Sequence, residues 1–295
     1  MSGSALGRWW FEPVARGRIA ALRLLAYAFV FVDVLVTTPW VASHARTPEV
    51  LYEPLRIDRL LLPSVTGSRI EVLRLALLAA AALALTGRAP RLLGATVGVL
   101  YLEWMLVGFS YGKVDHDRVG FLVLLAVLAT LGRVRAGDRT PDEAAGWAVR
   151  CVQVACVLTY FLAAFAKLRF GGLAWLDSAT LLRAVLRRGT ELGDLLAARP
   201  WTLHLTQYVV LIGELLSPLL LFVRGRVRTV ALAVAFGFHL AVFATVTIIF
   251  LPHLVAMTSF LPLERAWRRE ATPPATPGTA AAPRTSSPAR PLLSR

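Results

Sequence analysis

Residues 152–167, VQVACVLTYFLAAFAK, form an apolar run that ends in Lys167. Lys167 is one of two lysines in the chain, and the rest of the 32 basic residues are arginines. An arginine keeps its proton in a protein, whereas a lysine that loses its water can give up its proton and become a base or nucleophile. Lys167 is therefore the first candidate for chemistry. The alternative is a lysine that ends a membrane helix and extends to the lipid headgroups.

The residues before Lys167 favour a close approach by another group. Tyr160, Ala163 and Ala164 precede it by three to seven residues, which places them on the same face of a helix. Small residues on such a face allow a neighbouring helix or a ligand to come near the backbone.

The composition is that of a polytopic membrane protein. Hydrophobic residues make up 57% of the 295 residues, and the mean hydropathy is +0.62. Values this apolar exclude an ordinary soluble domain. The net charge of +14 comes from arginines spread over short loops, which favours contacts with anionic lipid over nucleic-acid binding. The expected partner is the lipid bilayer, and no nucleic acid is expected.

The lengths of the apolar runs predict an all-α bundle of about eight transmembrane helices. A hydrocarbon layer of about 30 Å needs about twenty helical residues. The predicted crossings are residues 19–38, 70–87, 92–110, 119–132, 147–168, 204–223, 228–246 and 248–263. The last two come from one apolar run that Pro252 interrupts, so seven crossings is the alternative.

The distribution of basic residues predicts that both termini are cytoplasmic. With this orientation the inner segments hold 18 basic residues and the outer segments hold 11, as the positive-inside rule requires. We expect a cytoplasmic segment at 1–18, a transmembrane domain at 19–263 and a disordered cytoplasmic tail at 264–295, in a multi-pass protein of the cell membrane. Lys167 and His116 then lie on the external side.

Charged side chains inside the predicted crossings need partners. Asp33 lies in the outer half of the first helix, and Arg74 in the second helix is its candidate partner. Glu103 and Glu214 are also embedded, and each is either paired with an arginine or protonated. Residues 179–198 alternate apolar and charged positions at helical spacing, which is typical of a helix that lies on the membrane surface.

Two histidines are further candidates for a site. His116 follows the third crossing in a polar loop, and His239 lies about 16 Å inside the membrane, where its ring must form a hydrogen bond. A helix-to-helix contact is the alternative for His239. Cys151 and Cys156 lie five residues apart in one apolar run, which is typical of buried hydrophobic positions. The sequence shows no spacing of metal ligands, and no metal is expected.

Taken in chain order, these segments resemble the membrane domain of vitamin K-dependent gamma-glutamyl carboxylases and of their bacterial relatives, the HTTM (horizontally transferred transmembrane) family. The resemblance extends from about residue 19 to residue 263. The residues that carry it are Arg23 and Asp33 in LRLLAYAFVFVD, His116 in YGKVDHDRVGFLVLL, Lys167 in YFLAAFAKL, Trp175, Glu214 and the pair Phe238-His239.

The resemblance implies carboxylase-like chemistry that depends on a reduced vitamin K or menaquinone-type quinol. In that chemistry a neutral lysine deprotonates the quinol, oxygen adds, and the strongly basic product removes a proton from the gamma carbon of a glutamate before carbon dioxide adds. The residues implied are, as catalytic groups, Lys167, His116 and His239 and, as cofactor contacts, Tyr160, Trp175 and Glu214.

Two other classes of function stay open. The chain departs from the carboxylase pattern at Ala166, where carboxylases have a first lysine, and at Val242 and Phe243, where they have Asn-Ser. A non-enzymatic membrane partner, or an immunity or maturation factor, for a secreted peptide is therefore the main alternative. The expected substrate in the enzymatic interpretation is a secreted peptide or protein. A small transporter is disfavoured because the sequence shows no internal repeat.

Overall fold

The structure is a computed structural model that describes residues 4–55 and 67–267. This part of the chain is 78% helical. Its strand content is one antiparallel pair of two-residue strands, Val14–Ala15 with Pro141–Asp142. The predicted all-α class is thus confirmed. Most of the predicted cytoplasmic tail, from residue 268 onward, lies outside the described residues, and so does a central part of the first outer loop.

The helices alternate long apolar segments with short connecting ones. In chain order they are α1 (Ala5–Trp10), α2 (Gly17–Val32), α3 (Trp40–Ser43), α4 (Gly67–Leu85), α5 (Pro90–Phe109), α6 (Val119–Thr130), α7 (Glu143–Ala166), α8 (Thr180–Arg188), α9 (Glu191–Ala197), α10 (Pro200–Leu216), α11 (Gly225–Val246) and α12 (Leu251–Met257). A π-helical turn extends α2 (Asp33–Thr37) and α7 (Lys167–Gly171). A 3-10 segment extends α10 (Ser217–Leu221) and α12 (Thr258–Phe260).

Five helical segments within residues 4–55 and 67–267 are long and apolar enough to cross a membrane, and this indicates a membrane protein. They are Gly17–Thr37, Pro90–Phe109, Glu143–Gly171, Pro200–Leu221 and Gly225–Val246. They correspond to the first, third, fifth, sixth and seventh predicted crossings.

The other three predicted crossings correspond to α4, α6 and α12. Helix α6 has 12 residues and α12 has seven, which is shorter than a hydrocarbon layer requires. Helix α4 has 19 residues, but Arg69, Glu71 and Arg74 fall in its first turns. The count of eight crossings and the cytoplasmic termini stay predictions.

One hydrophobic core joins the N-terminal helices to α6, α7 and α12. Helix α5 packs between α4 and α6, and α12 packs against both α6 and α7. Gly120 of α6 makes this packing close, because a Cβ there would lie 3.1 Å from the Sγ of Cys156 and 3.3 Å from Ala256. The absence of a side chain at Gly120 therefore lets α6 pack closely against both α7 and α12, and these two helices carry part of the site described below.

The predicted partner of Asp33 is wrong. The Asp33 carboxylate, which is fully buried, accepts hydrogen bonds from Arg118 Nη1 at 2.6 Å and from the Tyr101 hydroxyl at 2.8 Å. Arg74 instead binds Glu71, one turn earlier on its own helix, at 2.6 Å. Arg118 belongs to a 3-10 turn, His116–Arg118, which brings its side chain back into the bundle. The sequence places this residue in a polar loop and does not show that return.

Residues 179–198 form two helices where the pattern suggests one. Helices α8 and α9 are separated by Gly189 and Thr190. The Thr190 hydroxyl accepts from Gly193 N at 3.1 Å and donates to the carbonyl of Ala244 at 2.6 Å. The cap thus starts α9 and joins it to the end of α11. Both short helices pack against α10 and α11 around a second, smaller core of Val185, Leu203 and Val246.

Candidate functional site

Lys167 is held inside the bundle by a carboxylate of another helix. Its Nζ donates to both carboxylate oxygens of Glu214, each at 2.6 Å. The exposed fraction is 24% for the Lys167 side chain and 9% for that of Glu214. The Nζ also lies 5.4 Å from the ring centre of Trp175, a cation–π distance. The ammonium group therefore faces α10 and an indole ring.

Backbone geometry at the end of α7 produces this orientation. Lys167 begins the π-helical turn, whose end at Gly171 is followed by Gly172 with φ +59°. A positive φ suits glycine because a side chain would clash with the backbone there. The chain reverses at Gly172 and brings Trp175 back toward Lys167.

Tyr160 lies seven residues before Lys167, and it contacts two further helices. The Tyr160 Oη lies 2.6 Å from Nε2 of His239 on α11 and 3.1 Å from Sδ of Met257 on α12. His239 is buried, and Tyr160 is the partner in the hydrogen bond that was predicted for its ring. Gln153, seven residues before Tyr160, donates from Nε2 to the carbonyl of Ser259 at 3.2 Å. Polar side chains thus follow one stripe of α7.

His253 is a site residue that the sequence analysis misses. It lies on α12 with 1% of its surface exposed. Its ring is perpendicular to that of Tyr160, with ring centres 4.8 Å apart, and its ring centre lies 5.3 Å from that of His239. Pro252, in the first turn of α12, directly precedes His253. A histidine beside a proline, in the middle of an apolar run, is the signal that could have identified it.

His116 lies at the rim of this cluster. It is exposed, and its 3-10 turn packs against α12. It is near enough for its charge to act on Glu214 and on His253. Its neighbour Asp117 is buried, and burial raises the pKa of that carboxyl group, although the adjacent Arg118 guanidinium opposes the rise.

A cavity of about 440 Å³ lies between α10 and α11. Its wall is mostly apolar, but Tyr160, Glu214 and Ser217 contribute polar groups. Among the described residues, neither Lys167 nor His239 lines this cavity. Each instead lies behind a wall residue, because Lys167 binds Glu214 and His239 binds Tyr160. Two of the three polar wall residues, Glu214 and Tyr160, therefore have a basic partner behind the wall.

The six predicted site residues fall into four positions. Tyr160 and Glu214, predicted as cofactor contacts, line the cavity. Lys167 and His239, predicted as catalytic groups, lie directly behind them. Trp175 contacts Lys167 without lining the cavity, and His116 lies at the rim. The structure thus brings five of these residues into hydrogen-bond or ring contact and leaves the sixth at electrostatic range.

Within the described ranges, no three residues among the histidines, cysteines, aspartates and glutamates are grouped to hold a metal ion. Cys151 and Cys156 are free thiols. Cys156 belongs to the hydrophobic core and Cys151 packs against it, so both occupy hydrophobic positions, as predicted.

Comparisons with models of protein families, with curated proteins and with solved structures found no match for this chain.

Proposed function

We propose that this is an integral membrane protein that binds a quinol-type amphiphile between α10 and α11 and takes a proton from its hydroxyl group. The observation that carries the proposal is the pair of polar groups on one apolar cavity wall, Glu214 with Lys167 behind it and Tyr160 with His239 behind it. The localisation in the cell membrane and the external position of the site are part of the proposal.

The cavity suits a ligand that is apolar except for one hydroxylated ring. A volume of about 440 Å³ falls in the range of small-molecule sites, which combine apolar walls with a few polar groups. The apolar wall includes Val210, Val234 and Phe238. A carboxylate oxygen of Glu214 can accept from a ligand hydroxyl, and the Tyr160 hydroxyl can bond a second oxygen. The residues present therefore fit a quinol-type group.

The geometry favours Glu214 as the group that takes the proton. Lys167 Nζ donates to both carboxylate oxygens of Glu214 at 2.6 Å, so its hydrogens are directed to Glu214 rather than to the cavity. Glu214 itself lines the cavity, where a carboxylate oxygen can accept from a ligand hydroxyl. We therefore assign proton acceptance to Glu214 and a positioning role to Lys167, whereas the family resemblance assigns the base to Lys167.

When bound, a quinol supplies two electrons and two protons to the chemistry. The residues of this chain bind it, orient its hydroxyl groups and exclude water. Transfer to a glutamate of a secreted peptide or protein enters the proposal through the resemblance alone.

One observation favours the non-enzymatic alternative. An ion pair with two short hydrogen bonds is also the arrangement that a purely structural contact between α7 and α10 would have. In that case the protein would act as a membrane partner, or as an immunity or maturation factor, for a secreted peptide. The two functions differ in whether the cavity holds a quinol.

The decisive experiment fills the cavity without breaking the site. Gly213 lines the cavity, and a Cβ at this position would meet no atom within 4 Å. Gly237 of α11 has the same free space and does not line the cavity. The variants Gly213→Leu and Gly237→Leu are therefore a matched pair, and leucine suits a helix better than glycine does.

The protein is purified in detergent, and bound quinones are extracted and identified by mass spectrometry. We expect a quinone in the wild type and in Gly237→Leu, and a loss of about tenfold or more in Gly213→Leu. Added 2-methyl-1,4-naphthoquinol should quench the tryptophan fluorescence of the wild type and of Gly237→Leu, and it should quench that of Gly213→Leu less. Absence of quinone from the wild type together with no binding of the added naphthoquinol, or equal amounts in both variants, would reject the proposed function.

A further inference from the structure

We propose that His253 connects the Tyr160–His239 pair to His116, so that protons leave the cavity through three histidines toward the side predicted to be external. The inference rests on the proposed function, because it takes the cavity as the source of the proton. It adds His253 as a proton-transfer residue and gives the exposed His116 a role at the end of the route.

The first step of the route is a direct contact. Tyr160 lines the cavity, and its Oη lies 2.6 Å from Nε2 of His239. This distance permits proton transfer without any rearrangement. His253 is next, with its ring centre 5.3 Å from that of His239 and 4.8 Å from that of Tyr160. Three titratable rings therefore form one contiguous group at the junction of α7, α11 and α12.

The unpaired nitrogens of the two histidines point to exchangeable protons. In the part of the chain that the structure describes, neither ring nitrogen of His253 has a hydrogen-bond partner, and Nδ1 of His239 also has none. Buried polar atoms are almost always paired, directly or through ordered water. Three such atoms on two neighbouring rings would be costly in a merely structural contact. They are accounted for if a proton passes between the rings through water.

The two tautomers of His239 supply the switch for this transfer. With its proton on Nε2, His239 donates to the Tyr160 oxygen, and the Tyr160 hydroxyl donates to Met257 Sδ. With its proton on Nδ1, His239 accepts from the Tyr160 hydroxyl at Nε2. Both arrangements keep the hydrogen bond between Tyr160 and His239, so a change of tautomer costs only the weaker bond from Tyr160 to Met257 Sδ.

Each transfer conserves protons and moves no electrons. Glu214 takes one of the two protons of the quinol, and Tyr160 accepts the other from the cavity while its own hydroxyl proton passes to Nε2 of His239. The proton on Nδ1 of His239 then leaves for His253, and His253 gives up a proton toward His116 and the solvent. A water-mediated shift of the proton from Nε2 to Nδ1 of His239 restores the tautomer from which the cycle starts. One proton enters at the cavity, and one leaves at the rim.

The exit lies where the 3-10 turn of His116 packs against α12. His116 is exposed, whereas His253, on α12, is buried. His116 is near enough for its charge to act on His253. On the other side of the turn, Arg118 is bound to Asp33 and Tyr101. This buried network fixes the turn in place, and His116, at the start of the turn, reaches solvent.

Exchange of the imidazole protons with water tests the route without any ligand. The chain has five histidines, so single substitutions assign each ring in spectra of protein labelled with ¹⁵N-histidine in lipid nanodiscs. In the wild type, we expect the ring proton of His239 to exchange rapidly with water although the ring is buried. The variants His253→Leu and His116→Asn should slow this exchange about tenfold or more.

His204→Gln is the matched control. His204 lies on α10 in contact with Asp177 and Tyr208, away from the three rings, and its substitution should leave the exchange unchanged. If His253→Leu does not fold, His116→Asn decides the question, because it alters only an exposed side chain. Unchanged exchange at His239 in His116→Asn would overturn the route. The measurement needs no quinol, so its result is independent of whether the cavity binds one.

Discussion

Lys167 and Glu214 form an ion pair with two equal hydrogen bonds, in which Nζ lies 2.6 Å from each carboxylate oxygen. The pair joins the end of α7 to α10 at the edge of the cavity. Removing one partner of such a pair leaves an uncompensated charge in a low-dielectric site, which costs about 3–5 kcal/mol.

We therefore expect Lys167→Met to lower the free energy of unfolding by about 3 kcal/mol. The double variant Lys167→Met, Glu214→Leu should recover part of this loss because no charge is left without a partner. Thermal unfolding in detergent measures both effects. Lys113→Met is the control, since Lys113 is the other lysine and its side chain is 77% exposed. Equal stability of Lys167→Met and Lys113→Met would show that the pair is solvated.

The network of Asp33 gives a second prediction. Arg118→Met leaves the buried Asp33 carboxylate without its cation, and we expect a loss of about 3–5 kcal/mol. Arg74→Met removes a partly exposed pair with Glu71, and this change should cost less than about 1 kcal/mol. Chemical denaturation followed by circular dichroism compares these two arginine variants. The assignment of Arg118 as the partner of Asp33 would fail if Arg74→Met were the more damaging change.

The closeness of α9 to α11 can be tested at Gly193. A Cβ at this position would lie 2.6 Å from the carbonyl oxygen of Thr245, and the backbone cannot move away as a side chain can. We expect Gly193→Ala to destabilise the protein by about 1–3 kcal/mol. Gly213→Ala, which meets no atom within 4 Å, should be neutral or stabilising. The melting temperatures of the two variants provide the comparison.

Acid should weaken the contact between the N-terminal segment and the end of the described chain. Burial raises the pKa of Glu264, but the hydrogen bonds from Arg18, a backbone hydrogen bond and the charges of Arg18 and Arg139 together outweigh burial, so the pKa is lowered below 4.5. A carboxyl group with a lowered pKa stabilises the folded state above its ordinary pKa, and this contribution is lost as the pH falls through the folded-state value. Glu264→Gln should therefore reduce the loss of melting temperature between about pH 5 and pH 3. An unchanged pH profile would contradict this role for Glu264.

Much of the fold follows from the apolar runs, because a helix that faces lipid must satisfy its own backbone and fill the hydrocarbon layer. The runs that contain Lys167, Glu214 and His239 therefore predict their helices closely. For the contact of Lys167 with Glu214, the sequence predicts only that Glu214 is an embedded acid that needs a partner. Which basic residue supplies that partner depends on the packing of α7 against α10, and sequence spacing carries no information on this packing.

The missed residues share a physical cause. In the sequence, Arg118 lies in a polar stretch that predicts a loop. Its burial depends on a 3-10 turn of three residues that returns the chain to the core. His253 lies in a helix of seven residues, too short for a periodic pattern to reveal which face is buried. In both cases tertiary contacts decide the position of the side chain.

Gln153, Tyr160 and Lys167 are spaced seven residues apart, so their three contacts all depend on the rotation of α7 about its axis. Seven residues are nearly two full turns of an α-helix, so all three side chains point in almost the same direction from α7. Each binds a different neighbour, namely the carbonyl of Ser259, the ring of His239 and the carboxylate of Glu214. A rotation of α7 about its own axis would therefore break all three contacts together.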